Sequence, residues 1–265
     1  MRCGERDIPF SLSRNQWCDS LIVEHIDVGH GLTNSYLVIC ESTLEAMIVD
    51  PYFLEKEGKT VLESIHSRSL KLRYIFNTHG HPDHMSGNGW LKRATGAEIL
   101  IHENEADDIL TPWRVWRVIS GVPRECPLCK RMTERILDIN EDERKASLNC
   151  QFCGPIITAE ASPPADILLI DGDTINVGNT TFKVIHTPGH TNGGVSLYSE
   201  TESLVFTGDT LLAGAIGGTS SPSSSDEEFR LSLKRLMELP DTTIVKPGHG
   251  SPTTIGKERK DNPHI

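Results

Sequence analysis

The sequence predicts a mixed α/β fold in which two sheets pack together and helices cover the outside. Three observations lead there. Apolar runs of strand length dominate both halves of the chain, and stretches with helical apolar spacing fall between them. No run of about 18 apolar residues stands out, so a membrane span is not expected.

The elements follow in order. LIVEHIDV (21–28), NSYLVIC (34–40) and AMIVD (46–50) read as strands, and KTVLESIHSRSL (59–70) as a helix. LRYIFNTH (72–79) is a buried strand, GNGWLKRATG (87–96) a short helix closed by glycine, and AEILIHE (97–103) another strand. Beyond residue 160, ADILLID, TTFKVIHT, GVSLYSE and SLVFTGD restore the strand pattern. SSPSSSDEE (220–228) reads as a flexible loop ending in a helix cap. The helix DEEFRLSLKRLMELP (226–240) and the strand TTIVKPG (242–248) close the series. No fixed short repeat is present.

Residues 113–160 break this rhythm. They carry few strand signals, and KRMTERILDINEDERK (130–145) is expected to be helical. The reading is one domain over 1–265 with an insertion or small subdomain at 113–160.

Net charge is −11, which argues against nucleic acid as the main partner. The insert holds a local basic stretch, Arg114, Arg117, Arg124, Lys130, Arg131 and Arg135, beside Trp113 and Trp116. It reads as a solvated helix face with an aromatic turned to the core. The opening MRCGERDIPFSLSRNQWCDS lacks the apolar core of a signal peptide, so the cytoplasm is the expected compartment. In a reducing compartment the seven cysteines are expected to be thiols or metal ligands. Cys3, Cys18 and Cys40 read as free thiols.

The densest chemical signal is THGHPDHMSGN, with His79, His81, Asp83 and His84 within six residues, directly after a strand. Imidazoles and a carboxylate crowded this way call for a divalent cation. TPGHTNGG adds His190, FTGDTLL adds Asp209 and VKPGHGSP adds His249, each after an apolar run and beside glycine. Strands ending at one edge of a sandwich would bring all seven groups together.

The series THxHxDH, PGHT, GDT and PGHG resembles the metallo-β-lactamase-fold hydrolases, and their glyoxalase II-like branch most. NSYLV, MIVDP and PGHGSPTTIGKERKDNP match that branch too. The resemblance implies an αββα sandwich with two metals at one edge. One metal would take His79, His81 and His190, and the other Asp83, His84 and His249. Asp209 would bridge them. Two divalent cations, zinc first with iron or manganese as competitors, would share a water, lower its pKa and present hydroxide to a carbonyl. Asp83 and Asp209 are thus the expected catalytic carboxylates. Asp50 is expected to orient a ligand from behind, and His30, in VGHGLTN, to border the substrate.

Aspartate at 209 departs from typical β-lactamases, which the resemblance would give cysteine or serine there. The sequence runs only 16 residues past His249, and GGTSS stands where relatives often have GRTD. The helical domain that helps glyoxalase II hold glutathione is therefore not expected. A small thioester or ester remains the expected substrate. The alternative in the same family is a mononuclear iron persulfide dioxygenase. An alternative of another class is a zinc-ribbon interaction protein on a fold without activity. Oligomeric state is left open.

CPLCK (126–130) and CQFC (150–153) form C-x2-C-x20-C-x2-C, a spacing that fits four thiolates around one structural zinc. Cys126, Cys129, Cys150 and Cys153 would leave no open position for water. They are expected to staple the insert, as a lid, a partner surface or a support.

Overall fold

A computed structural model describes residues 20–26, 33–53, 55–111, 117, 120–121 and 123–265. His30, Trp113, Arg114, Trp116, Cys3 and Cys18 lie outside the described residues.

The first sheet orders β1 (Leu21–Ile26), β2 (Ser35–Cys40), β3 (Glu45–Val49), β4 (Lys71–Phe76), β5 (Glu98–His102) and β10 (Ile167–Leu169). The first three strands are antiparallel, and β3, β4, β5 and β10 are mutually parallel. The second sheet orders β11 (Thr174–Val177), β12 (Thr180–His186), β13 (Val195–Ser199), β14 (Leu204–Gly208), β17 (Ile244–Pro247) and β18 (Thr253–Thr254). Side-chain alternation explains the layering. In β2, Tyr36, Val38 and Cys40 face the second sheet, where Phe182, Val184, Leu197 and Phe206 meet them. Leu37 and Ile39 face the other way. There α1 (Glu55–Ser67) and α3 (Asn88–Thr95) supply Val61, Ile65 and Leu91. On the far face of the second sheet, Val205 and Val245 bury Phe229, Leu233 and Leu236 of α4 (Asp226–Leu236) and Ile255 of α5 (Ile255–Asp261). The result is an αββα sandwich, as the sequence predicts.

The helix ends follow local chemistry. Gly96, at φ 73°, closes α3 through its N–H to the Lys92 carbonyl. Ser225 caps α4 by accepting from Glu228 N. The loop before that cap is tied down rather than loose: Ser224 Oγ donates to the His190 carbonyl at 2.8 Å.

The insert departs from expectation. Residues 130–145 form no helix. β7 (Met132–Asn140) pairs with β6 (Pro123–Glu125) and β8 (Lys145–Cys150), and β8 pairs with β9 (Gly154–Glu160), making a separate antiparallel sheet. Burial alternates along β7, with Thr133, Arg135, Leu137 and Ile139 turned in and Glu134, Ile136 and Asp138 out. Leu137 and Ile139 cover Ala146, Leu148 and Ala159. Cross-strand pairing thus outweighs a spacing that also fits a helix. Arg124 and Arg135 lie on strands and Lys130 and Arg131 in the connection between β6 and β7, so these four do not share a helix face. A two-stranded piece, β15 (Leu211–Leu212) with β16 (Ala215–Ile216), completes the strands. Among the described residues no helix is long and apolar enough to cross a membrane.

Candidate metal centre

Strand direction places the site. β3, β4, β12, β14 and β17 all point their carboxyl ends at one edge of the sandwich. Asp50 follows β3, His79 and His81 follow β4, His190 follows β12, Asp209 follows β14 and His249 follows β17. Asp83 and His84 sit on the single turn α2 (Pro82–Met85) that starts after His81.

The side chains converge. One set of donor atoms comes from His79, His81 and His190, a second from Asp83, His84 and His249, and a third from His79, His84 and Asp209, each set lying within 4.8 Å. His81 Nδ1 stands 3.0 Å from His190 Nε2, and His84 Nε2 stands 3.3 Å from His249 Nε2. Asp209 spans the sets, with Oδ2 3.4 Å from His190 Nε2 and 3.3 Å from His249 Nε2, and Oδ1 3.5 Å from His84 Nε2. Metal–nitrogen bonds of roughly 2.0–2.1 Å in a tetrahedron put donors about 3.3–3.4 Å apart, so these spacings fit the edges of a metal's coordination shell. His79 Nε2 and Asp209 Oδ1 are buried without a hydrogen-bond partner, a costly arrangement that a cation relieves. The residues present therefore fit divalent metal.

Electrostatics agree. Burial and the neighbouring imidazoles of His84, His81 and His190 hold His79 well below the usual histidine range. Burial with His190 pushes His81 down to about 3. Both rings are thus neutral, the form that ligates. Burial opposes ionisation of Asp209, yet His84 and His249 hold its carboxyl well below the usual range. For His84, burial also opposes the charge, but Asp209, Asp50 and Asp83 raise it to about 10, so these carboxylates call for positive charge here, which a bound cation would supply in place of the proton.

Support comes from behind. Asp50, 1% exposed and at φ 49°, accepts from Thr78 N and Thr78 Oγ1, each at 2.7 Å, and meets His84 Nδ1 at 2.9 Å. That pairing turns His84 Nε2 toward the other donors. Several contributors carried no clear sequence signal. Thr33 Oγ1 donates to Asp83 Oδ2 at 2.8 Å. Buried Glu105 accepts from Gly80 N and Gly193 N, each at 3.0 Å, and so clips the loop of His79 and His81 to the loop of His190. The Gly218 carbonyl accepts from His190 Nδ1 at 2.6 Å. Asn34 holds the His249 loop through the carbonyls of Pro247 and Gly250. Gly248 has a direct reason: a Cβ there would stand 2.5 Å from Asp209 Oδ1 and 2.7 Å from His84 Cε1.

The family model of the metallo-beta-lactamase superfamily matches residues 28–249. Hydroxyacylglutathione hydrolase GloC of Haemophilus influenzae is 28% identical over 229 residues, spanning 86% of this chain and 91% of that one. The structure of ETHE1 from Myxococcus xanthus is similar with a TM-score of 0.65 at 25% identity, over 92% of this chain and 84% of that one. TTHA1623, solved in a di-iron-bound form, is similar with a TM-score of 0.68 at 25% identity, over 92% of this chain and 100% of that one.

Proposed function

Because the chain belongs to the metallo-beta-lactamase superfamily, we propose that it is a binuclear metal-dependent hydrolase of a small thioester or ester. The observation that carries this reading is the position of Asp209, whose two oxygens lie within 3.5 Å of His84, His190 and His249 at once. A carboxylate shared between two donor sets would offset part of the repulsion between two cations held there. Two divalent cations held at these donors would supply an acidified water as nucleophile and an electrophile for the carbonyl oxygen. Zinc suits histidine and carboxylate donors, with iron and manganese as competitors.

The chain's own residues do the rest. His79, His81 and His190 hold one side, and Asp83, His84 and His249 the other. Asp50 fixes the face that His84 presents, and Thr33 fixes Asp83. Glu105 keeps the two loops in register. The likeness to GloC supports a thioester substrate, and the likeness to a di-iron-bound protein supports loading with two ions.

The test is turnover on a panel of acyl-glutathione, acyl-coenzyme A and aryl esters, with metal per chain measured on the same samples. The wild-type chain should hydrolyse at least one thioester or ester. Asp209→Ala loses a metal equivalent and more than about a hundredfold in kcat/KM, beyond the usual effect of disturbing a ligand's support. Unchanged metal content and turnover in Asp209→Ala would remove the proposal. One iron per chain with oxygen uptake on a persulfide, and no hydrolysis, would replace it with the dioxygenase reading.

A further inference from the structure

The small sheet β6–β9 has almost no core of its own. Its buried apolar groups are Ala146, Leu148 and Ala159 on one side, and Ile156 with Cys126 and Cys150 on the other. A sheet this poor in buried area needs a staple.

Four cysteines converge where a staple would act. The sulfurs of Cys126, Cys129, Cys150 and Cys153 all lie within 4.8 Å of one another. Cys126 Sγ is 3.6 Å from Cys153 Sγ, and Cys129 Sγ is 3.7 Å from Cys150 Sγ. A regular tetrahedron with zinc–sulfur bonds of about 2.3 Å has edges of about 3.8 Å. A disulfide requires sulfurs about 2.05 Å apart, and all four thiols are free. These two contacts run between the two CxxC turns, and contacts within each turn accompany them, so all four sulfurs are drawn to one point. A redox dithiol joins the two cysteines of a single turn, whereas a metal shared by both turns draws them together.

The backbone is built for the same purpose at both turns. The residue after each second cysteine takes a left-handed conformation, Lys130 at φ 58° and Gly154 at φ 83°. Leu128 and Cys129 direct their N–H groups at the Cys126 sulfur, and Phe152 and Cys153 theirs at the Cys150 sulfur. Of these, Phe152 N reaches Cys150 Sγ at 3.4 Å. N–H donors aimed at sulfur favour thiolate, the form that ligates. Arg131 lies over the Phe152 ring at 5.1 Å and joins the two turns from outside.

We propose that Cys126, Cys129, Cys150 and Cys153 hold one zinc ion in a closed tetrathiolate site that fixes the sheet β6–β9. The site is separate from the His/Asp centre and has no open position for substrate. It stands whether or not the hydrolase reading does.

The full-length chain tests it in two ways. A mercurial that modifies thiols, followed with a zinc-sensitive dye, should release one tightly held zinc per chain. That zinc should remain in His81→Ala, where the His/Asp centre is damaged. Growth in cobalt should give the intense sulfur-to-cobalt absorption of a four-thiolate site, absent from Cys129→Ser. Because Cys129→Ser could fail to fold, the wild-type measurements decide on their own. Four thiols that react freely in the native chain without releasing metal would overturn the site. An iron–thiolate chromophore that persists in His81→Ala and vanishes in Cys129→Ser would overturn its assignment to zinc.

Discussion

Glu105→Gln separates loop support from ligation. The carboxylate is 1% exposed and accepts from Gly80 N and Gly193 N, one with each oxygen. Glutamine keeps the volume but offers a single acceptor, so one buried amide meets an NH2 group. An orphaned buried donor costs about 1–3 kcal/mol. At about 2–4 °C per kcal/mol for a chain of this size, the melting temperature should fall by about 2–12 °C. A pH signature goes with it. Burial pushes the Glu105 carboxyl above its ordinary value of 4.5. The folded state therefore binds this proton more tightly than the unfolded state. Its contribution to stability is full below pH 4.5 and declines as pH rises through the raised value. Glutamine has no such decline, so the gap between parent and variant should narrow as pH climbs from acid toward neutral. Thermal unfolding from pH 4 to 8, with metal per chain alongside, measures both effects. A variant as stable as its parent throughout, with metal affinity unchanged, would refute the clip.

Other perturbations reach the same centre from different sides. Asp50→Asn leaves the Thr78 contacts largely possible but weakens the grip on His84 Nδ1, and metal affinity by chelator competition should drop about 10–100-fold. Gly248→Ala drives a methyl into Asp209 and His84, so the folded variant should lose metal from the His/Asp donors while circular dichroism stays near that of the parent. Cys129→Ser should expose residues 123–160 to protease ahead of the rest of the chain, with the His/Asp metals retained.

Much of this was legible in the sequence because it rests on local patterns. The runs NSYLVIC and AMIVD are buried on both faces in β2 and β3, as continuous apolar strands require. His79, His81, His190, Asp209 and His249 follow strands whose ends meet at one edge, so reading the strands also located the donors. The insert departs from the helical expectation because Ile136, Leu137 and Ile139 satisfy helical and strand spacing alike. Only pairing with Ala146 and Leu148 on β8 decides between them. Glu105 was invisible for another reason. Its partners are the backbone amides of Gly80 and Gly193, 25 and 88 residues away, and no spacing rule encodes them. Thr33 reaches Asp83 across 50 residues in the same way.

Anomalous X-ray scattering from crystals of the metal-loaded chain tests the central claim most directly. Two peaks should appear at the edge of the sandwich, one among His79, His81 and His190 and one among Asp83, His84 and His249, with Asp209 touching both. A single peak there at full loading, with Asp209 reaching only one ion, would contradict the binuclear account.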